Sequence, residues 1–203
     1  SAMQQATVQL GKLGVQSIVN SMGVFVSAAF AAVNRIDDFA YMPQQNIAHA
    51  MTALMAQNKG AKKTDRIKAA FRCGMKIELF YGIFIFFVCF FLAHPLMQLF
   101  SNDPVVCKHG VTYLKLISLM YLFPAVTNGV QGYFRGIGDL KITLISSFVN
   151  MSVRVIFAAV LVFHFSCRLE ALPFPYFVGW FGRLLSGGPL FLREFYLGLK
   201  EGD

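Results

Sequence analysis

The sequence predicts an all-α fold: a polytopic membrane helix bundle of about six transmembrane helices. Three observations lead there. Leu79 to Ala93 (LFYGIFIFFVCFFLA) carries no charge and is dense in phenylalanine. A bilayer core asks for roughly 20 mostly apolar residues per helix, and several runs in the chain approach that. Charged residues make up only 14% of the 203 positions, 56% are apolar, and mean hydropathy is +0.57, against about 25% charged in soluble domains. Finally, the apolar runs are too long for barrel strands and do not alternate, and an open strand cannot satisfy its backbone in lipid.

Six segments follow in order. The first is about Ala2 to Asn20. The second, about Val26 to Gln57, is interrupted by polar groups and Pro43. The third is about Ile67 to Ala93, and the fourth about Pro104 to Phe134, with Pro124 inside. Asp103-Pro104 suits a helix start, because Asp caps free amides and Pro fits the first turn. The fifth is about Leu140 to Phe165. The sixth, about Ala171 to Leu192, is broken by Pro173, Pro175 and Gly187-Gly188-Pro189. Pro43 and Pro124 each remove a backbone donor and serve either as packing kinks or as hinges beside a wet cavity.

Charge sets the orientation. The net charge is +8, but the bases sit between hydrophobic runs and read as topology signals, not as a nucleic-acid surface. Lys59, Lys62, Lys63 and Arg66, followed by Lys68 and Arg72, form the strongest basic cluster, which belongs in the cytoplasm. Alternation then puts Ser101 to Pro104 outside, Arg135 to Lys141 inside, the loop near Arg168 outside and Arg193 to Asp203 inside.

Polar residues at membrane depth mark candidate sites. The second segment carries Asn34, Arg35, Asp37 and Asp38. Arg35 and Asp38 have the spacing of an ion pair on one helix face, and the same residues could line a cation or proton pathway. Asn128 and Gln131 follow Pro124; Asn150 and Arg154 lie on the fifth segment. Such amides either bond neighbouring helices or share a polar cavity, into which Lys12 would also reach unless it snorkels. Cys73, Cys89, Cys107 and Cys167 read as small buried hydrophobes. The four histidines are scattered, so no metal ligand set is expected. Gly136-Ile137-Gly138 lacks a third glycine and a preceding strand. With no phosphate loop, HExxH or Ser–His–Asp context, enzymatic chemistry has no foothold and no cofactor is expected.

Five stretches together resemble the multidrug and toxic compound extrusion family, within the larger group of multidrug, oligosaccharidyl-lipid and polysaccharide exporters. They are Asn20-Ser-Met-Gly23; Ala28 to Arg35 with Phe39 to Pro43; Gln57-Asn58-Lys-Gly60-Ala61; Pro124 through Gln131 to Asp139; and Asn150 with Arg154. They cover about Ala2 to Val162. The resemblance implies one six-helix lobe, the C-terminal one, of a two-lobed transporter, with residues 1–203 lacking the N-terminal lobe; the start at Ser1 also reads as that of a fragment. It implies an antiporter exporting drugs or other small organic, often cationic, solutes against protons or sodium ions by alternating access. Membrane lipid, the solute and the absent lobe are the expected partners, and a bacterial inner membrane the expected place. The amide Asn128 stands where sodium-coupled relatives carry an acid, which favours the DNA-damage-inducible, proton-coupled type, with Asn34, Asn128, Gln131, Asn150 and Arg154 lining the cavity. A lipid-linked saccharide flippase, using Lys12, Arg35 and Arg154 on a pyrophosphate, and an inactive truncated membrane module are the alternatives.

Overall fold

Residues 2–164, 171–193 and 195 are described in a computed structural model. The expectations on Cys167, on the loop near Arg168 and on the tail beyond Phe195 lie outside the described residues. Among those described the chain is helical, without strands: α1 (Ala2–Asn20), α2 (Val24–Gly60), α3 (Thr64–Phe91), α4 (Ala93–Gln98), α5 (Pro104–Ser118), α6 (Leu122–Gly136), α7 (Leu140–Ala159, continued by a π-helical stretch Val160–His164) and α8 (Pro173–Arg193).

Several boundaries follow from local chemistry. The Asp103 carboxylate accepts from the amides of Val105 (2.8 Å) and Val106 (3.2 Å), capping α5 as expected. Asp139 caps α7 through the Ile142 amide, after a turn in which Gly138 adopts φ +85°, a conformation open to glycine at little cost.

The proline expectations divide. The segment read as one helix from Pro104 to Phe134 is two helices, α5 and α6, meeting at 51°. The break falls at Leu119 to Tyr121, just ahead of Pro124. There, amides reach back only three residues, Met120 to Ile117 and Tyr121 to Ser118. The proline ring crowds the carbonyl four residues earlier and has no N–H to offer it. By contrast, α2 runs through Pro43 and α8 through Pro189. Pro173 and Pro175 sit in the first turn of α8, where a missing N–H costs nothing.

Two apolar cores fill the bundle. One gathers Val15, Val19, Phe30, Val33, Met97, Tyr113, Leu114 and Ile117; the other gathers Met51, Met55, Phe71, Tyr133, Phe134 and Phe191. The second core lies at the end that carries both basic turns. Lys59 there donates to the carbonyl of Ile137, tying the α2–α3 turn to the α6–α7 turn. Phe191, at the far end of α8, and Phe195 just beyond it meet Phe71 at a tilt and Tyr133 edge to face at that same end. The turns placed on the inner side by charge thus share one end of the molecule.

Opposite faces differ in polarity. On α3, Phe80, Phe84, Phe87 and Phe91 form an exposed ladder, and on α7 so do Ile145, Phe148, Ile156 and Phe163. Among the described residues two helices, Thr64–Phe91 and Leu140–His164, are long and apolar enough to cross a membrane, and the bent α5–α6 pair makes three if it is one span. That is fewer than the six expected. The reason is the polar content of α1, α2 and α8, whose residues Lys12, Arg35, Asp37, Asp38 and Arg183 lower the apolar character of any window. Cys89 and Cys107 are buried as expected, whereas Cys73 is exposed.

Candidate functional site

Between the two apolar cores the helices turn polar side chains inward at one level. α2 supplies Gln44, α3 Glu78, α6 Thr127 and Gln131, α7 Ser146, Ser147, Asn150 and Arg154, and α8 Arg183; all are buried. A buried polar group without a partner is costly, so the hydrogen bonding of this layer is informative.

Its α6–α7–α8 side is bonded. The Gln131 amide donates to the hydroxyls of Ser146 and Ser147, both at 3.3 Å. The Arg183 guanidinium donates to Ser147 at 3.3 Å. Gln131, Ser146 and Arg183, with Thr127, Phe134 and Gly187, border a cleft of only about 10 Å³, at the lower limit for a single water. This is a closed interhelical network, not an open cavity. Asn150 packs under Gly179, where a Cβ would come 3.1 Å from the Asn150 carbonyl oxygen. Glycine there lets α8 lie directly on α7.

A second centre lies one step toward the outer core. Asp37 is buried and accepts a hydrogen bond from the Tyr121 hydroxyl at the α5–α6 bend. Tyr41 meets Tyr121 edge to face, with ring centres 5.5 Å apart. Arg154 lies within electrostatic range of Asp37 and rests on the Tyr176 ring, 3.2 Å from its centre, a cation–π contact. The α5–α6 bend therefore has a consequence: it turns Tyr121 inward onto the α2 carboxylate.

The third feature is on the outside. Arg35, Asp38, Phe39 and Met42 are exposed along one face of α2, at the i, i+3, i+4, i+7 spacing of a helical stripe. Asp38 does not pair with Arg35, as the spacing led one to expect. It pairs with Lys12 of α1 at 2.6 Å. The inter-helix partner wins because α1 holds Lys12 directly against the carboxylate.

Of the candidates read from the sequence, Asp37 and Arg154 come together at the Tyr121–Tyr176 centre. Gln131 and Asn150 belong to the buried layer, Arg35 and Asp38 to the exposed face. Asn34 and Asn128 are half-buried. Lys12, paired with Asp38, and Arg154, buried over Tyr176, both lie within electrostatic range of Asp37, whereas Arg35 is exposed on α2.

Sequence reasoning missed Glu78. It is fully buried at mid-α3, and neither carboxylate oxygen has a hydrogen bond. The signal was available: Phe71, Gly74, Glu78 and Gly82 recur at i, i+3, i+7, i+11, the inward stripe of α3. The uncharged run beginning one residue later drew attention away from it.

A model of the family MatE matches residues 1–160. The probable multidrug resistance protein NorM of Thermotoga maritima is 23% identical over 170 residues, covering 83% of this chain and 37% of the relative. Among solved structures, an outward-facing conformation of a multidrug resistance MATE family transporter of the MOP superfamily matches with a TM-score of 0.88 at 17% identity, over 98% of this chain and 45% of that one. An inward-facing conformation of such a transporter matches with a TM-score of 0.86 at 17% identity, over 99% and 47%. The chain thus spans less than half the length of these proteins.

Proposed function

The chain belongs to the MatE family, and from that premise we propose that it forms the C-terminal lobe of a two-lobed antiporter. That antiporter exports drugs or other small organic, often cationic, solutes by alternating access, in exchange for protons or sodium ions. It sits in a bacterial inner membrane, needs no cofactor beyond the coupling ion and carries out no enzymatic step. Its partners are lipid, the solute and the N-terminal lobe.

The observation that carries this reading is the exposed charged stripe on α1 and α2. Charges at membrane depth face a bundle interior or a wet cavity, not lipid. The Phe ladders of α3 and α7 suit lipid; Lys12, Asp38 and Arg35, set beside Phe39 and Met42, do not. The α1–α2 face therefore fronts the path between the lobes, and its mix of aromatic, thioether and carboxylate groups fits flat organic cations. The fold likeness to transporters in both outward- and inward-facing states supports a lobe that moves as one body, as rocking mechanisms require.

The test is efflux. Cells depleted of their own pumps and expressing the complete reading frame are loaded with ethidium, and its loss is followed by fluorescence with proton and sodium gradients imposed or collapsed. Gradient-dependent efflux above the empty-vector rate is expected. Membrane-inserted protein that moves neither ethidium nor other organic cations under either gradient overturns the reading.

A further inference from the structure

Glu78 has no counterpart in the pathway outlined above. It lies 14 residues after the start of α3 and 13 before its end, about 20 Å from each at 1.5 Å per residue. That is the bilayer centre, if α3 spans it. Its neighbours along the inward stripe are glycines, and both mark close approach. A Cβ at Gly74 would fall 2.3 Å from the Met51 side chain; one at Gly82 would fall 3.2 Å from Ala125 and 3.5 Å from the Gln44 amide nitrogen. Helices α2, α3 and α6 are thus pressed together above and below Glu78. Gln44 is also fully buried, and both its amide atoms lack hydrogen bonds.

Two unpartnered polar side chains on facing helices, in a seam of small residues at mid-membrane, are not a structural ion pair or a packing device. A leucine and an alanine would pack without the desolvation cost. No hydrogen bond from α2, α5 or α6 reaches the Glu78 carboxyl. The inward-facing titratable groups of those helices include Asp37, bonded to Tyr121, Tyr41 on the Tyr121 ring, Tyr113 against the Phe30 ring, and Tyr133 among Phe71 and Phe191. An unsolvated, unpaired carboxyl is tolerated as the neutral acid and not as the anion. A metal cation needs a shell of several oxygens, and the side chains here provide one carboxyl and one amide. Among the described residues no group of three or more His, Cys, Asp or Glu is assembled.

We propose that Glu78 is the proton-carrying group of this lobe, with Gln44 as the amide that receives its carboxyl when the seam rearranges. When the α2–α3–α6 seam opens to water on the outer side, the carboxylate takes a proton and an O–H bond forms. The neutral acid is enclosed as the seam closes. When the seam opens to the inner side, the O–H bond breaks and the proton passes to water. The inference rests on the exporter reading above, and it places proton coupling in this lobe despite the amide at position 128.

The test uses the purified complete protein. In proteoliposomes with an imposed proton gradient, Glu78→Gln should reduce uphill ethidium transport to the protein-free background, and Glu78→Asp should retain a measurable part. Glu78→Gln should stay monodisperse in detergent with an unchanged melting temperature, since an amide of the same shape replaces a neutral acid. Independently of transport, infrared spectra at neutral pH should show a protonated-carboxyl C=O band that Glu78→Gln removes. Wild-type rates in Glu78→Gln, coupling to sodium alone, or no such band would each overturn the proposal. A wild-type protein that transports under no gradient, yet shows the band, would sink the exporter reading and leave Glu78 as a protonated site.

Discussion

A close α2–α6 approach in the bundle's inner half is a sharp place to test the packing. Gly136 ends α6 against α2, where a Cβ would stand 2.7 Å from Met55 Cβ and 3.1 Å from the Thr52 carbonyl oxygen. Carbon atoms prefer about 3.5–4.0 Å, so Gly136→Ala must push α2 and α6 apart by roughly 1 Å. One turn away, the Thr52 hydroxyl shares its one proton between the Ala48 carbonyl of its own helix at 2.8 Å and the Gly132 carbonyl at 3.2 Å, and that separation would carry the second, weaker contact beyond hydrogen-bonding range. Overpacking costs about 1–3 kcal/mol, and the lost share of that hydrogen bond adds at most about 0.5 kcal/mol. The gain in helix propensity returns at most about 1 kcal/mol. The net expectation is a loss of about 1–3 kcal/mol, which lowers Tm by roughly 2–12 °C in a chain of this size. Gly182→Ala is the control: its Cβ would meet Val149 at 3.8 Å, an ordinary contact, so the propensity gain stands alone and Tm should hold or rise. The assay is a thermal melt in detergent with a thiol-reactive fluorogenic dye, reporting the buried Cys89 and Cys107 after Cys73 and Cys167 are replaced by Ser. If Gly136→Ala melts at or above the parent temperature, the close α2–α6 packing described here is wrong.

Other outcomes follow from single contacts. Tyr121→Phe removes the hydroxyl that Asp37 accepts from; a bond to a carboxylate is worth about 1.5–3 kcal/mol, and the same melt should show a drop in Tm with the fold retained. Lys12 and Asp38 are paired at 2.6 Å but remain 44% and 63% exposed, so a double-mutant cycle of Lys12→Ala and Asp38→Ala should give a coupling below about 1 kcal/mol; a larger value would mean that this face is enclosed, as the proposed second lobe would enclose it. Lys62→Cys in the α2–α3 turn should react with an impermeant maleimide only when the cytoplasmic side is open, and labelling of intact cells would invert the topology.

Most helices could be read from the chain because their causes are local. Apolar run length, the Asp103 cap and the basic α2–α3 turn act over a few residues, and the structure places them where the pattern did. The prolines show the limit. Pro124 bends its segment while Pro43 and Pro189 do not, and all three remove the same donor. Which one yields depends on what the neighbouring helices supply, and nothing in the residues flanking a proline states that. The Arg35–Asp38 spacing fails for the same reason: an i,i+3 pair is a possibility of one helix, and Lys12 on another helix displaces it.

By itself the sequence determined that the chain is helical, that it is built for lipid, which turns share a side and which family it belongs to, because hydropathy, charge and short motifs are carried by consecutive residues. Only the tertiary structure decided which polar residues are buried together. Asp37 meets Tyr121 across 84 positions, Gln131 meets Ser146 across a turn, and Glu78 meets no partner at all. Those relations depend on how glycines let helices approach and on which stripe each helix turns inward, and helix packing sets both.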